Sequence, residues 1–179
     1  MGDKGEYDVF KHSPLRYLGY VNEFGESFRP FIPNSVVVGT YVVATSYAIG
    51  DAIHKGQMAY TKKSTMRNWI VADKVQDTLI WQLLASVTIP AYIINRTVHA
   101  TNWALTKFVC QNHSFRARGI FKFIPTLVGL ATIPILPHVL DPLIDEAMDH
   151  TTRPLFKTLQ DKYASEIPPS DPLKNKSII

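Results

Sequence analysis

"DTLIWQLLASVTIPAYIINR", residues 77–96, places eighteen uncharged residues between Asp77 and Arg96. As an α-helix that run is roughly 27 Å long, close to the ~30 Å thickness of a bilayer's hydrocarbon core. Pro90 lies past its middle. A proline removes a backbone donor and clashes with the preceding turn, so a soluble core helix rarely carries one there. A membrane span tolerates it where neighbours re-satisfy the freed carbonyls. The stretch therefore reads as a span bent at Pro90, with Gln82 as interhelical glue.

Two further stretches lack Asp, Glu, Lys and Arg. Pro30 to Gly50 holds twenty-one such residues, and Phe123 to Leu140 holds eighteen. Both fit the ~17–25 residues that a spanning helix needs. Small and β-branched residues fill the first, as helix interfaces in lipid prefer. Tyr41, Tyr47, Trp81, Tyr92 and Trp103 are rings of the kind that gather at a membrane surface. The expected fold is all-α: an integral membrane helical bundle with about three spans, at 34–51, 78–95 and 122–140, plus amphipathic interfacial helices.

Outward from the spans, residues 1–12 form an N-terminal tail, 13–152 the helical membrane domain, and 153–179 a short helix with a Pro-rich polar tail expected to be disordered. Ser13-Pro14 reads as a helix start. That helix places Leu18, Val21, Gly25 and Phe28 on one face and Arg16, Glu23 and Glu26 off it, and Pro30 and Pro33 end it. Residues 97–110 read as a separate short helix that lies along the interface or packs on the bundle. Leu140, Leu143, Ile144, Ala147 and Met148 repeat at helical spacing. Asp141, Asp145 and Asp149 form an opposite, solvated stripe. "LASVTIP" (84–90) and "VGLATIP" (128–134) echo one another, and Pro90 and Pro134 read as bends whose freed carbonyls Ser and Thr re-satisfy.

With 179 residues, one domain is the default. The net charge of +4 is too mild to argue for nucleic acid. One cysteine, Cys110, excludes an internal disulfide and a Cys-based zinc cluster. The opening residues have no apolar core and carry Asp3, Glu6 and Asp8, unlike a secretory signal or a transit peptide. The six histidines lack the spacing of a zinc helix; His138 and Asp141 read as a polar pair at a helix end. No phosphate loop or nucleophile elbow is present. No enzyme, cofactor or metal is expected. Basic counts on the two sides of a three-span topology nearly balance, so charge does not orient the chain. The run with Arg96, Lys107, Arg116, Arg118 and Lys122 contains no acid. It is a candidate contact for anionic lipid such as cardiolipin; a solvated loop is the alternative.

Four blocks then carry a resemblance: "RYLGYVNEFGESFRPFIP" (16–33), "SYAIGDAIHKG" (46–56), residues 77–96, and "GLATIPILPHVLDPLID" (129–145). They resemble the mitochondrial fission process protein family, also called the mitochondrial 18 kDa protein family. Asp77, Trp81-Gln82, Ala85-Ser86-Val87, Ile89-Pro90 and Ile94-Asn95-Arg96 fall where that family has them. The resemblance implies a non-enzymatic, multi-pass protein of the inner mitochondrial membrane, linked to fission, inner-membrane integrity and respiratory coupling. It also implies partners such as the adenine nucleotide carrier or respiratory complexes. The rival readings are an accessory structural subunit of such a complex and a small transporter or leak pathway. Candidate helix-packing residues are Gly39, Gln82, Ala85, Ser86, Pro90, Gly129 and Pro134, with Gly19 and Gly25 for close approach of the N-terminal helix.

Overall fold

The computed structural model describes residues 18–61, 67–109 and 119–166, and these are helical throughout, apart from short turns. A short 3-10 turn at 18–20 leads into α1, Val21–Phe28. Pro30 and Pro33 break the chain, and Pro33 in extended backbone starts α2, Asn34–Tyr60. Next come α3, Arg67–Gln82, a π-helical turn, Leu83–Thr88, and α4, Ile89–Ala104. Together with the residues after α4 they form one continuous helix, Arg67–Phe108. After a 3-10 turn, Gly119–Lys122, follow α5, Ile124–Thr132, α6, Leu136–His150, and α7, Thr152–Glu166.

Several expectations change. The first apolar helix runs nine residues beyond Asp51, and the second runs past both Asp77 and Arg96. Residues 97–108 continue α4 and are no separate interfacial helix. The third stretch is two helices bent by 48° at Ile133–Ile135. Two helices are thus long and apolar enough to cross a membrane, and the bent pair makes a third if it counts as one span. The reason for the bend is local. Pro134 and Pro137 stand three residues apart, so two backbone donors are missing within one turn. The same tripeptide at Pro90 does not break its helix, so the Thr-Ile-Pro echo is no structural repeat. The Ser13-Pro14 start and the tail beyond residue 166 lie outside the described residues.

α1 lies antiparallel along the first half of α2. Gly19 meets Tyr47, Gly25 meets Thr40, and Arg29 reaches Asn34. α2 and α3 are also antiparallel, with Gly56 against Val71 and Val75. A core of Ala85, Ile94, Val98, Leu136, Leu140, Ile144 and Met148 joins the long helix to α6. Leu143 and Ala147, expected on that buried face, are exposed.

The polarity of α1 is inverted. It buries Asn22, Glu23, Gly25, Glu26 and Ser27 and exposes Phe24 and Phe28, with Leu18 exposed just ahead of it. The sequence reading, which put Glu23 and Glu26 outside, is reversed. α2 likewise exposes Val36, Val38, Val42, Val43, Ile49 and Ile53 while burying Asp51. Only 28% of its apolar window is buried.

Candidate functional site

The buried polar side chains join into a seam across the bundle. Its first node is Glu26, 1% exposed. Its carboxylate accepts two hydrogen bonds from Arg29, at 2.7 and 2.6 Å. It also accepts one from the Tyr41 hydroxyl at 2.8 Å and one from Asn95 Nδ2 at 2.7 Å. Four charge-assisted bonds, from Arg29 just past α1 and from α2 and α4, hold one buried carboxylate, as a charge at that depth requires.

The link to the second node is Asn22. Its Nδ2 donates to the Val87 carbonyl at 2.9 Å and reaches the Ser86 carbonyl at 3.4 Å. Proline at position 90 has no N–H to donate to the Ser86 carbonyl one turn upstream. The chain answers with a π-helical turn at Leu83–Thr88, which displaces the bonding pattern past the proline. The exposed carbonyls are then capped by a side chain from α1. The expectation that local Ser or Thr would satisfy them is corrected: the donor comes from a residue sixty-four positions away. At the break near Pro134 the carbonyl one turn upstream, Leu130, accepts from the Ile133 N–H, and His138 Nδ1 pairs with the Pro134 carbonyl.

The second node is Gln82 on α3. Its Nε2 donates to Asp51 Oδ2 on α2 at 2.7 Å, and its Oε1 accepts from the Ser86 hydroxyl at 2.8 Å. Lys55 Nζ, one turn beyond Asp51, shares the same Oδ2 at 2.9 Å. The seam thus runs Glu26, α1, Asn22, π turn, Ser86, Gln82, Asp51, Lys55. A third ionic node closes the other end. Arg153 on α7 donates to Asp77 at 2.7 Å, Asp149 at 2.8 Å and Asp145 at 2.8 Å. Bonds to Asp77 and then Asp149 raise the Arg153 pKa above its ordinary value. The expected aspartate stripe remains largely solvated, and two of its three members also clamp α7 to α6, with Asp77 extending the clamp to α3.

A cavity of about 370 Å³ opens between these nodes, with Tyr47, Asp51, Lys55, Lys74, Trp81 and Gln82 among its walls.

Of the candidate packing residues, Gln82, Ala85, Pro90 and Gly129 are buried and Ser86 is half-buried. Added side-chain atoms at Gly129 would meet Val98 and Ser27. Gly39 is corrected: it is exposed, with open space where a Cβ would go. Pro134 is exposed in the turn between α5 and α6 and packs nothing inside. Gly19 and Gly25 are buried at the α1–α2 contact, and a Cβ on Gly25 would collide with the Thr40 side chain. Sequence reasoning missed Asn22, Glu26 and Asn95, and treated Asp51 as a helix end. Among the candidate lipid contacts, Arg96 lies 5.2 Å over the Tyr92 ring and Lys107 4.9 Å over the Trp103 ring. Arg96, Lys107 and Lys122 are exposed. Arg116, Arg118 and Cys110 lie outside the described residues. Among the described residues no three His, Cys, Asp or Glu side chains are grouped to hold a metal.

The chain matches the family described as mitochondrial 18 kDa protein over residues 9–78 and 62–148. Mitochondrial fission process protein 1 of Caenorhabditis elegans is 42% identical over 152 residues, covering 83% of this chain and 89% of the relative. The Homo sapiens protein of that name is 40% identical over 156 residues, covering 86% and 91%. The Danio rerio protein is 35% identical over 151 residues, covering 83% and 88%. No solved structure gives a significant match. Matched along nearly the whole bundle, from α1 through α6, the chain belongs to the mitochondrial 18 kDa protein family, whose relatives include the mitochondrial fission process proteins.

Proposed function

We propose that this chain is a multi-pass protein of the inner mitochondrial membrane that acts in mitochondrial fission without catalysis. In this reading it supports inner-membrane integrity and respiratory coupling by packing against lipid and membrane partners. The observation that carries it is the inverted α1: carboxylates and amides inside, Phe24 and Phe28 outside. In water that arrangement forfeits about 25 cal/mol for each Å² of apolar surface left exposed. In a bilayer it is the favourable one, because polar groups must find partners within the protein. The names of the relatives support the fission role. The non-enzymatic part is supported by how the polar groups are used. Glu26, Gln82 and Asn22 spend their hydrogen bonds on neighbouring helices.

The cation–aromatic pairs at Arg96–Tyr92 and Lys107–Trp103, with Lys122, suit a headgroup region rich in anionic lipid such as cardiolipin. The exposed apolar faces of α2 and α5 suit inner-membrane proteins such as the adenine nucleotide carrier or respiratory complexes.

Alkaline carbonate extraction of mitochondria tests the membrane part. The chain is expected in the pellet, and its release into the supernatant would contradict the proposal. Depletion followed by imaging tests the fission part. An elongated network rescued by re-expression is expected; a network of unchanged length contradicts the role.

A further inference from the structure

The cavity beside Asp51 has the features of a binding site. Its volume, about 370 Å³, lies in the range of small-molecule sites. Asp51 is a wall residue only 1% exposed. Its Oδ2 is doubly occupied by Lys55 and Gln82. Its Oδ1 has no hydrogen-bond partner. A buried carboxylate oxygen left without a donor is costly, because it has lost water and gained nothing in exchange. A ligand that brings N–H groups would supply the missing donor.

Charge decides which donor. Four carboxylates line the cavity, Asp51, Asp77, Asp141 and Asp145, against three cations, Lys55, Lys74 and Arg153. Arg153 is bound to Asp77 and Asp145, and Lys55 to Asp51. Over the whole lining one carboxylate is in excess, and at the buried end Asp51 Oδ1 remains as the open acceptor. Lys74 is exposed and supplies a positive rim. Trp81, half-buried, offers a ring face on which an ammonium can rest.

We propose that this cavity binds a small zwitterion, its ammonium donating to Asp51 Oδ1 and its anionic group turned toward Lys74. A phosphoethanolamine group has this chemistry, free in solution or as the headgroup of phosphatidylethanolamine. The site is independent of the fission reading and of the bilayer topology.

The test uses Trp81 as its own reporter. In the full chain, purified in detergent, Trp69→Phe and Trp103→Phe leave Trp81 as the only tryptophan. Phosphoethanolamine is expected to change its fluorescence saturably, and ethanolamine or inorganic phosphate alone to bind at least about tenfold more weakly. Asp51→Asn is expected to weaken binding about tenfold or more, the equivalent of losing one charged hydrogen bond, with helicity by circular dichroism retained. Lys74→Gln, at an exposed position that the fold does not need, is expected to weaken it about threefold to tenfold. Vesicles of phosphatidylethanolamine compared with phosphatidylcholine separate the two sources. A response to the lipid alone assigns the headgroup, and a response to the soluble compound assigns the free molecule; each supports the site. No saturable change with either probe overturns it. So does a response that both Asp51→Asn and Lys74→Gln leave untouched.

Discussion

Gln82 shows why single polar residues govern this bundle. One amide donates to a carboxylate on α2 and accepts from a hydroxyl on its own helix. Gln82→Leu fits the same space but strips Asp51 of one of its two donors and leaves the Ser86 hydroxyl without its acceptor. The expected loss is about 1–3 kcal/mol, read as a lower thermal midpoint in detergent with unchanged membrane insertion. Melting like the unaltered protein would remove Gln82 as an interhelical link. Glu26 is the stronger case. Glu26→Ala removes the acceptor for Arg29, Tyr41 and Asn95 together. About 3 kcal/mol is expected, because Arg29 is one-third exposed and can turn outward when abandoned. A midpoint unchanged within error would show that the node contributes nothing net. The sequence made Gln82 legible, since a lone amide in an uncharged run must be bonded to something. It did not make Glu26 legible. A carboxylate in a short helix with mixed polarity reads as solvated, and beyond Arg29 its partners lie fifteen and sixty-nine residues away.

At the scale of elements, the two Thr-Ile-Pro segments separate sequence from context. Before Pro90 the helix survives through a π turn because Asn22 reaches its carbonyls from α1. Before Pro134 no such cap arrives, a second proline follows, and the helix ends. The local difference is the second proline, Pro137, which hydropathy does not register, so the straight third span expected from hydropathy became a bent pair. Asn22→Ala is expected to destabilise the bundle by about 1–3 kcal/mol and to increase amide exchange at Ser86 and Val87. Unaltered exchange there would mean that the cap is not what holds the π turn. Glycines give a paired test of packing. Gly25→Leu must push α1 off α2, since even a Cβ collides with Thr40. Gly39→Leu meets open space. The first is expected to expose α1 to limited proteolysis and the second to stay within about 0.5 kcal/mol of the parent. Equal behaviour of the two would contradict the placement of α1. The sequence marked both as candidates for close packing, because it shows that a residue is small and not which way it faces.

For the whole molecule, helix content and the existence of the apolar segments were legible from three charge-free runs. Their true lengths were not. Asp51, Asp77 and Arg96 looked like helix ends because charge usually marks a boundary. Here Asp51 is buried by Gln82 and Lys55, and Arg96 lies over Tyr92, so the helices continue through them. The central claim of the proposed membrane reading is that the exposed apolar side chains of α1, α2 and α5 face lipid around a buried polar seam. Spin labels placed singly at Phe24, Val42 and Leu127, on a Cys110→Ser background in liposomes, test it most directly. High accessibility to oxygen and low accessibility to a water-soluble nickel reagent are predicted at all three. Strong contact with the nickel reagent at Phe24 and Val42 would contradict the account.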